Sequence, residues 1–359
     1  MRIVQLIDTL NIGGAEKMAV NYANSLNKKI DFSGIVATRS QGSLIEEIEN
    51  KNNYLFLSKK NVLDFKAIVK LKNYCKKNKV QYIHAHGTSF FTAFLLKIIY
   101  SKIKIIWHEH YGATVNKKNH QILLIWFCSR FFNKIIVVNK NLENWCKIKL
   151  KFNNVLYLPN FINQEKSIIK ETILSGIDHK RILILANLKK PKNHNLLIEV
   201  AIEVIKKHQD WSFHLVGKDF IDDYSEELKT KIIENKLQDN VFLYDLKKDI
   251  NNILSQTEIC VLTSDSEGLP VAFLEYGFAK KPIVTTEVGE LIDIIEHEKN
   301  GYLVPVNNPI LFSYSVCKLI ENPNLRIDFG KEIYKKLSEN YSEISIINQY
   351  LNWIINLKK

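Results

Sequence analysis

Ile259-Cys260-Val261-Leu262-Thr263-Ser264-Asp265-Ser266-Glu267-Gly268-Leu269-Pro270-Val271-Ala272-Phe273-Leu274-Glu275 is the stretch whose reading decides the fold. Its first five residues are apolar or β-branched and predict a buried strand. A short polar loop follows, and Pro270 then suits the first turn of a helix, where its missing N–H costs nothing. A strand running through a tight loop into a helix is half of a βα unit. Glu267 falls in the loop at the sheet edge, Glu275 lies further along the helix, and Gly268 leaves room for a ligand to reach the helix start. An anion would meet free backbone N–H groups there, with a carboxylate on either side to accept hydrogen bonds from hydroxyls. The plainer reading is an acidic cap followed by a surface glutamate.

Outward from this stretch the same alternation recurs. Strands are predicted at Ile3–Ile7, Gly34–Thr38, Tyr54–Leu57, Tyr82–Ala85, Ile103–Trp107, Ile135–Val138 and Val155–Leu158. After the polar segment Asn163–Lys180 they resume at Arg181–Ala186, Phe213–Val216, Val241–Leu243, Ile259–Thr263, Pro282–Thr285 and Tyr302–Val304. Strands separated by helix-length segments mean parallel α/β sheets, and a second start after a polar linker means a second sheet. The domains are expected at 1–165 and 166–340, both Rossmann-like, with a helix in 341–359 packing back on the first. Open sheets of this kind bind ligands at the carboxyl ends of their strands. If the two sheets face each other, those ends define one cleft.

The 359 residues suit two such domains, and 46% apolar with 25% charged residues is the composition of a folded globular chain. The five cysteines are scattered, with no CxxC or Cys/His cluster, which points away from disulfide and zinc scaffolds. The N-terminal apolar run is too short for a signal peptide, and Ile122–Phe132 is far short of the ~20 residues that span a bilayer. Residues 1–160 hold 25 basic against 9 acidic side chains, and residues 161–359 hold 25 against 29. A basic first half faces an anionic partner or is simply a solvated lysine-rich surface.

Other segments carry candidate chemistry. Gly13 and Gly14 open a helix directly after the first strand, either as an anion-binding loop or as a tight turn. His84 and His86 end a strand, where they are read as acceptor contacts or strand-end packing. HxH also binds metals, but no carboxylate stands at helpful spacing and no metal is expected. Glu109, His110 and Tyr111 follow the next strand and are read on the acceptor side. The stripe Ile122, Leu123, Ile125, Trp126, Phe127 is read as a buried helix face in preference to a membrane anchor.

Glu267 and Glu275 stand in the E-x7-E relation, and their surroundings resemble the signature of family-4 retaining glycosyltransferases of the GT-B fold. Gly13-Gly14-Ala15-Glu16, Ile106-Trp107-His108-Glu109, Leu158-Pro159-Asn160, Ala186-Asn187-Leu188 with Lys192-Asn193-His194, Gly289, and Asn300 to Val304 resemble that family's landmarks in order. The resemblance implies a nucleotide-sugar donor, metal-independent. It implies Glu275 on the ribose, Glu267 on the transferred sugar, Lys192 on the diphosphate, and Gly13 and Gly14 approaching it from the other domain. His108 would contact the donor sugar, while Asn187, Gly268 and Leu269 complete the donor contacts. Asn187 stands where the family commonly has Arg, which leaves Lys189 or Lys190 as a replacement cation, and Glu290 takes a position often held by glycine.

The expected function is therefore a hexosyl- or N-acetylhexosaminyl-transferase acting from a UDP-sugar on a lipid-linked or cell-envelope glycan. It is expected in the cytoplasm, peripheral on the inner face of the cell membrane. Lys66, Lys70 and Lys77 share one helix face, extended by Lys59, and are the expected contacts with an anionic membrane. The alternatives are a nucleotide-sugar epimerase of the same architecture and a basic nucleic-acid-binding protein. The latter lacks a helix-turn-helix, zinc or RNP-like signature, and no nucleic acid is expected.

Overall fold

The computed structural model describes residues 1–110, 114–115, 118–162 and 170–355. Tyr111, residues 163–169 of the polar segment and residues 356–359 lie outside them. The chain divides into two compact units, Met1–Asn163 with Glu343–Lys359, and Gln164–Ser342.

The first unit runs β1 (Arg2–Thr9), α1 (Gly14–Asn27), β2 (Phe32–Ser40), β3 (Tyr54–Phe56), α2 (Phe65–Lys77), β4 (Tyr82–His86) and α3 (Phe90–Ile99). It continues through β5 (Lys104–Glu109), α4 (Asn119–Ser129), β6 (Lys134–Val137), α5 (Lys140–Lys149) and β7 (Val155–Tyr157). Its parallel sheet is ordered β3-β2-β1-β4-β5-β6-β7. Strands such as Ile3–Ile7 are apolar apart from Gln5 and buried throughout because helices cover both faces. The strand order reverses between β1 and β4, so the loops that follow these two strands leave the same edge in opposite directions.

The second unit runs β8 (Arg181–Leu185), α6 (His194–Ile205), β9 (Ser212–Val216), α7 (Asp223–Glu234), β10 (Val241–Tyr244), α8 (Ile250–Ser255) and β11 (Ile259–Leu262). Then come α9 (Val271–Phe278), β12 (Ile283–Thr286), α10 (Leu291–Ile294), β13 (Tyr302–Val304), α11 (Pro309–Glu321) and α12 (Pro323–Asn340). Its parallel order, β10-β9-β8-β11-β12-β13, reverses between β8 and β11.

The last helix, α13 (Glu343–Ile355), belongs to the first unit. Ile346, Ile347, Tyr350 and Ile354 are buried against Ile3, Tyr22, Tyr82, Ile106 and Ile136. Burial of such side chains contributes about 1.5–3 kcal/mol apiece. Lys134 adds a polar tie: its ammonium donates to the Trp353 carbonyl and lies 3.9 Å from the centre of that indole. Burial pulls this lysine down to about 8.

Two surface expectations change. Lys66, Lys70 and Lys77 are exposed on α2, but Lys59 is buried and donates to Thr92 Oγ1 at 2.9 Å, so it does not extend their face. On α4, Ile125 and Cys128 face the core, whereas Leu123, Leu124 and Phe127 face solvent at 63%, 46% and 51% exposure. The stripe is apolar nearly all round, so its periodicity did not select the buried side. No described helix is long and apolar enough to cross a membrane.

Candidate active site

At the reversal point of the second unit, the loops after β8 and β11 interlock. Lys192 ends a 3-10 turn, Lys190–Lys192, that Asn193 closes in the left-handed conformation at φ 48°. The Asn193 side chain accepts from Leu196 N at 3.1 Å and so caps α6, while its amide donates to Asp265 at 2.6 Å. Thr263 donates to the Lys192 carbonyl at 2.9 Å, and Asp265 N donates to the Pro191 carbonyl at 3.0 Å. These bonds fix one loop against the other. Their product is an ion pair between Lys192 Nζ and Glu267 Oε1, with Ser264 Oγ donating to the same carboxylate oxygen at 2.6 Å. Both members of the pair are largely shielded, yet neither side chain is fully buried. A partly desolvated pair of this kind is stronger than one on an open surface.

The neighbouring loops close around it. Gly289, at φ 54°, lies so near the carbonyls of Glu267 and Gly268 that a Cβ would collide with both. Glu290 N donates to the Gly268 carbonyl at 3.1 Å, and Thr286 donates to the Ser264 carbonyl at 2.6 Å. Glu290 itself is buried. Asn187, after β8, accepts from Lys218 N at 2.9 Å and ties in the loop after β9. Lys189 and Lys190 are exposed beside it. Helix α9 opens at Val271 with Pro270 in an extended conformation and no side-chain cap, which leaves its first-turn N–H groups to a ligand or to water. Leu269 is buried behind that turn, Gly268 is half-buried, and Glu275 is half-buried one turn in. The Tyr276 hydroxyl accepts from Leu185 N at 2.6 Å and locks α9 to β8. A cation, a helix start and two carboxylates thus converge at one strand edge, where a diphosphate flanked by hydroxyl-bearing rings has complementary partners.

In the first unit, His84 and His86 on β4, His108 on β5 and His110 just past its end make a two-by-two grid under α1 and α13. Residues two apart on a strand share a face, and the register sets His86 beside His108. His84 Nε2 lies 3.2 Å from His108 Nδ1, and His86 Nδ1 lies 2.9 Å from His110 Nε2. His86 Nε2–H donates to Gln5 Oε1 at 2.8 Å, which leaves Nδ1 of His86 as acceptor for His110 Nε2–H. Tyr350 OH lies 3.1 Å from His84 Nδ1, and the Tyr22 ring packs edge-on against His84 and His108. Burial holds all four histidines below their ordinary range, His110 at about 3.

His84 and His86 are therefore interior groups with ring partners of their own, not side chains displayed at the strand end. His108 is equally buried, but its Nε2 has no partner among the described residues, nor has His110 Nδ1. Glu109 is buried at the carboxyl end of β5. Among the described residues, His84, His86 and His108 form the one histidine, cysteine or carboxylate grouping whose ligand atoms, all within 4.8 Å of one another, could hold a metal ion. Their neutral state suits a soft or borderline metal, but the group includes no carboxylate to offset the charge. At the start of α1, Gly14 has open space around it, whereas the space beside Gly13 is filled by the Glu16 carboxylate. Burial raises the Glu16 carboxyl above its usual range, and Thr9 donates to it at 3.4 Å.

Comparison with known proteins places this geometry in a family. The family model described as Glycosyltransferase Family 4 matches residues 12–166, and the one described as Glycosyl transferases group 1 matches residues 165–336. An uncharacterised glycosyltransferase of Haemophilus influenzae is 24% identical over 94% of this chain and 95% of its own. The Escherichia coli UDP-Gal:alpha-D-GlcNAc-diphosphoundecaprenol alpha-1,3-galactosyltransferase is 21% identical over 82% of this chain and 81% of its own. The crystal structure of HepE from Anabaena in complex with UDP superposes with a TM-score of 0.81, at 16% identity over 99% of this chain and all of that one. Two parallel α/β sheets with this similarity have the GT-B fold, and with the two family models running end to end over residues 12–336, the chain belongs to glycosyltransferase family 4.

Proposed function

We propose that this glycosyltransferase transfers a hexose or N-acetylhexosamine, with retention, from a UDP-sugar to a lipid-linked or cell-envelope glycan. The observation that carries this reading is the Lys192–Glu267–Ser264 cluster at the uncapped start of α9, with Glu275 one turn further in. Lys192 meets the diphosphate, whose negative charge grows as the glycosidic bond breaks, and the α9 N–H groups share that charge. Glu267 and Glu275 accept from hydroxyls of the sugar and the ribose. Asn187, Gly268 and Leu269 frame the nucleotide, and Lys189 stands in for a second cation.

The similar galactosyltransferase is named for UDP-galactose, a diphosphoundecaprenol acceptor and an alpha product, and HepE was crystallised with UDP. Both support the donor assigned here, and the first supports a lipid-borne acceptor. Incubation with UDP-sugars, with and without a polyprenyl-diphosphate glycan, tests the reading. A longer glycan and free UDP should form only when acceptor is present. Interconversion of the sugar without acceptor would mean an epimerase instead.

The two glutamates divide the donor between them. Glu275→Gln should weaken binding of UDP itself, by on the order of 1.5–3 kcal/mol for a lost charge-assisted hydrogen bond. Glu267→Gln should leave UDP affinity within about twofold and lower turnover. Calorimetric titration of both variants with UDP decides this, and equal losses would abolish the division.

A further inference from the structure

From Gly87 to Leu142 the sequence contains eight basic residues and one carboxylate, Glu109, which is buried. The surface of this segment therefore presents no acidic side chain. On it lies a continuous apolar strip. Leu123, Leu124 and Phe127 project from α4, Phe131 follows one turn later, and Ile98 lies on the adjoining α3, all exposed by 37% or more. The strip is ordered from beneath. The rings of Phe127 and Phe131 pack on Phe94 of α3 with centroids 5.8 and 5.0 Å away, and on each other at 6.0 Å. Its edges are cationic: Lys118 precedes α4, Lys102 follows α3, and Arg130 lies over the Trp126 ring at 4.5 Å.

We propose that this α3–α4 face docks in the interfacial layer of a bilayer carrying anionic lipid. Three features favour lipid over a protein partner. The basic residues at its margins, in a segment with no exposed carboxylate, match an anionic surface. Aromatic rings paired with a guanidinium suit the boundary between acyl chains and headgroups. Helix α4 has eleven residues, too few to cross a bilayer and sufficient to lie along it. The face assigned here differs from the lysine stripe of α2, along which apolar exposure is confined to Val62, Leu63 and Phe65 at the start of the helix, with lysines beyond them. The proposal rests on the acceptor reading only for its purpose, because vesicle binding needs neither donor nor acceptor.

Flotation of the full chain with phosphatidylcholine vesicles, with and without about one third phosphatidylglycerol, tests it. Wild type should bind only the anionic vesicles, and 1 M salt should weaken the binding without abolishing it. Leu123→Ser, Leu124→Ser and Phe127→Ser combined should weaken binding roughly 100-fold or more. Because these side chains already face water, the triple variant should keep its melting temperature and its UDP affinity. Lys66→Glu, Lys70→Glu and Lys77→Glu combined should change binding by no more than about threefold. Unchanged binding of the serine variant, or loss confined to the α2 variant, would overturn the proposal. So would a dimer in sedimentation velocity that the serine substitutions dissolve, since a second copy would then cover the strip. Absence of UDP binding by the wild type, with its vesicle binding intact, would instead count against the donor reading.

Discussion

Lys192→Ala should lower turnover by about 10²- to 10³-fold while raising the Michaelis constant for donor by much less. On the proposed reading the diphosphate carries more negative charge in the transition state than in the bound donor, so the ammonium contributes most there. The structure adds a second consequence. Glu267 is held between Lys192 and Ser264, so removing the lysine leaves its carboxylate with the serine hydroxyl alone among these partners. An under-compensated carboxylate beside a diphosphate disfavours the leaving group further. Lys189→Ala should show a milder loss of about tenfold or less, because that side chain is exposed and screened. Steady-state kinetics with UDP release as the readout separates the outcomes. A Lys192→Ala enzyme with normal turnover and a raised Michaelis constant would make the lysine a ground-state binder only.

Between pH 7.5 and 5.5 the protein should lose a large part of its thermal stability. His84, His86, His108 and His110 are held neutral in the fold by burial, each well below the ordinary histidine range. Unfolding exposes them to water, where they take up protons below about pH 6.5. The unfolded chain then binds more protons than the native one, so the stability present above pH 6.5 is lost as pH falls below it. Each histidine contributes about 1.4 kcal/mol per pH unit in that range, so four contribute on the order of 5 kcal/mol by pH 5.5. That is comparable to the roughly 5–15 kcal/mol that holds a typical domain together. His194 and His214 of the second unit, at about 4 and about 3, act in the same direction. The melting temperature should fall by about 10–20 °C over this window. A flat profile from pH 7.5 to 5.5 would mean that the histidine grid carries charge in the native state.

The sheets were legible because strands buried on both faces leave short, largely apolar runs rich in β-branched residues, and β1, β6, β8 and β11 were read within a residue or two. Glu267 was read in the loop after the β11 run, whereas Lys192 was singled out only by the family resemblance; both lie in loops that follow strands. Their mutual ion pair was not legible, because 75 residues separate them and only the β8–β11 pairing brings the loops together. Ser264 stood in plain view three residues before Glu267, a capping-box spacing, yet here its hydroxyl holds the carboxylate in place. The histidines show the same limit. Alternation along β4, and along β5 and the residue after it, places each pair on one face, but the register that sets His86 beside His108 and lets the His84 ring stack on His108 is a long-range fact. Nothing in the local sequence marks Gln5, Tyr22 and Tyr350 as their partners. Nor did the Gly13-Gly14 pair reveal that Glu16 folds over Gly13, since a carboxylate in the first helical turn reads equally as a dipole partner.

The central claim, that the second unit holds a UDP-sugar at the start of α9, is tested most directly by thermal shift with UDP, GDP, ADP and CMP on wild type and Glu275→Gln. A nucleotide at 100 times its dissociation constant stabilises the native state by about 2.7 kcal/mol, enough to read in a single melting curve. UDP should raise the melting temperature of wild type above every other nucleotide, and Glu275→Gln should lose most of that shift. A larger shift with GDP or ADP, or a UDP shift that survives Glu275→Gln intact, would contradict the account.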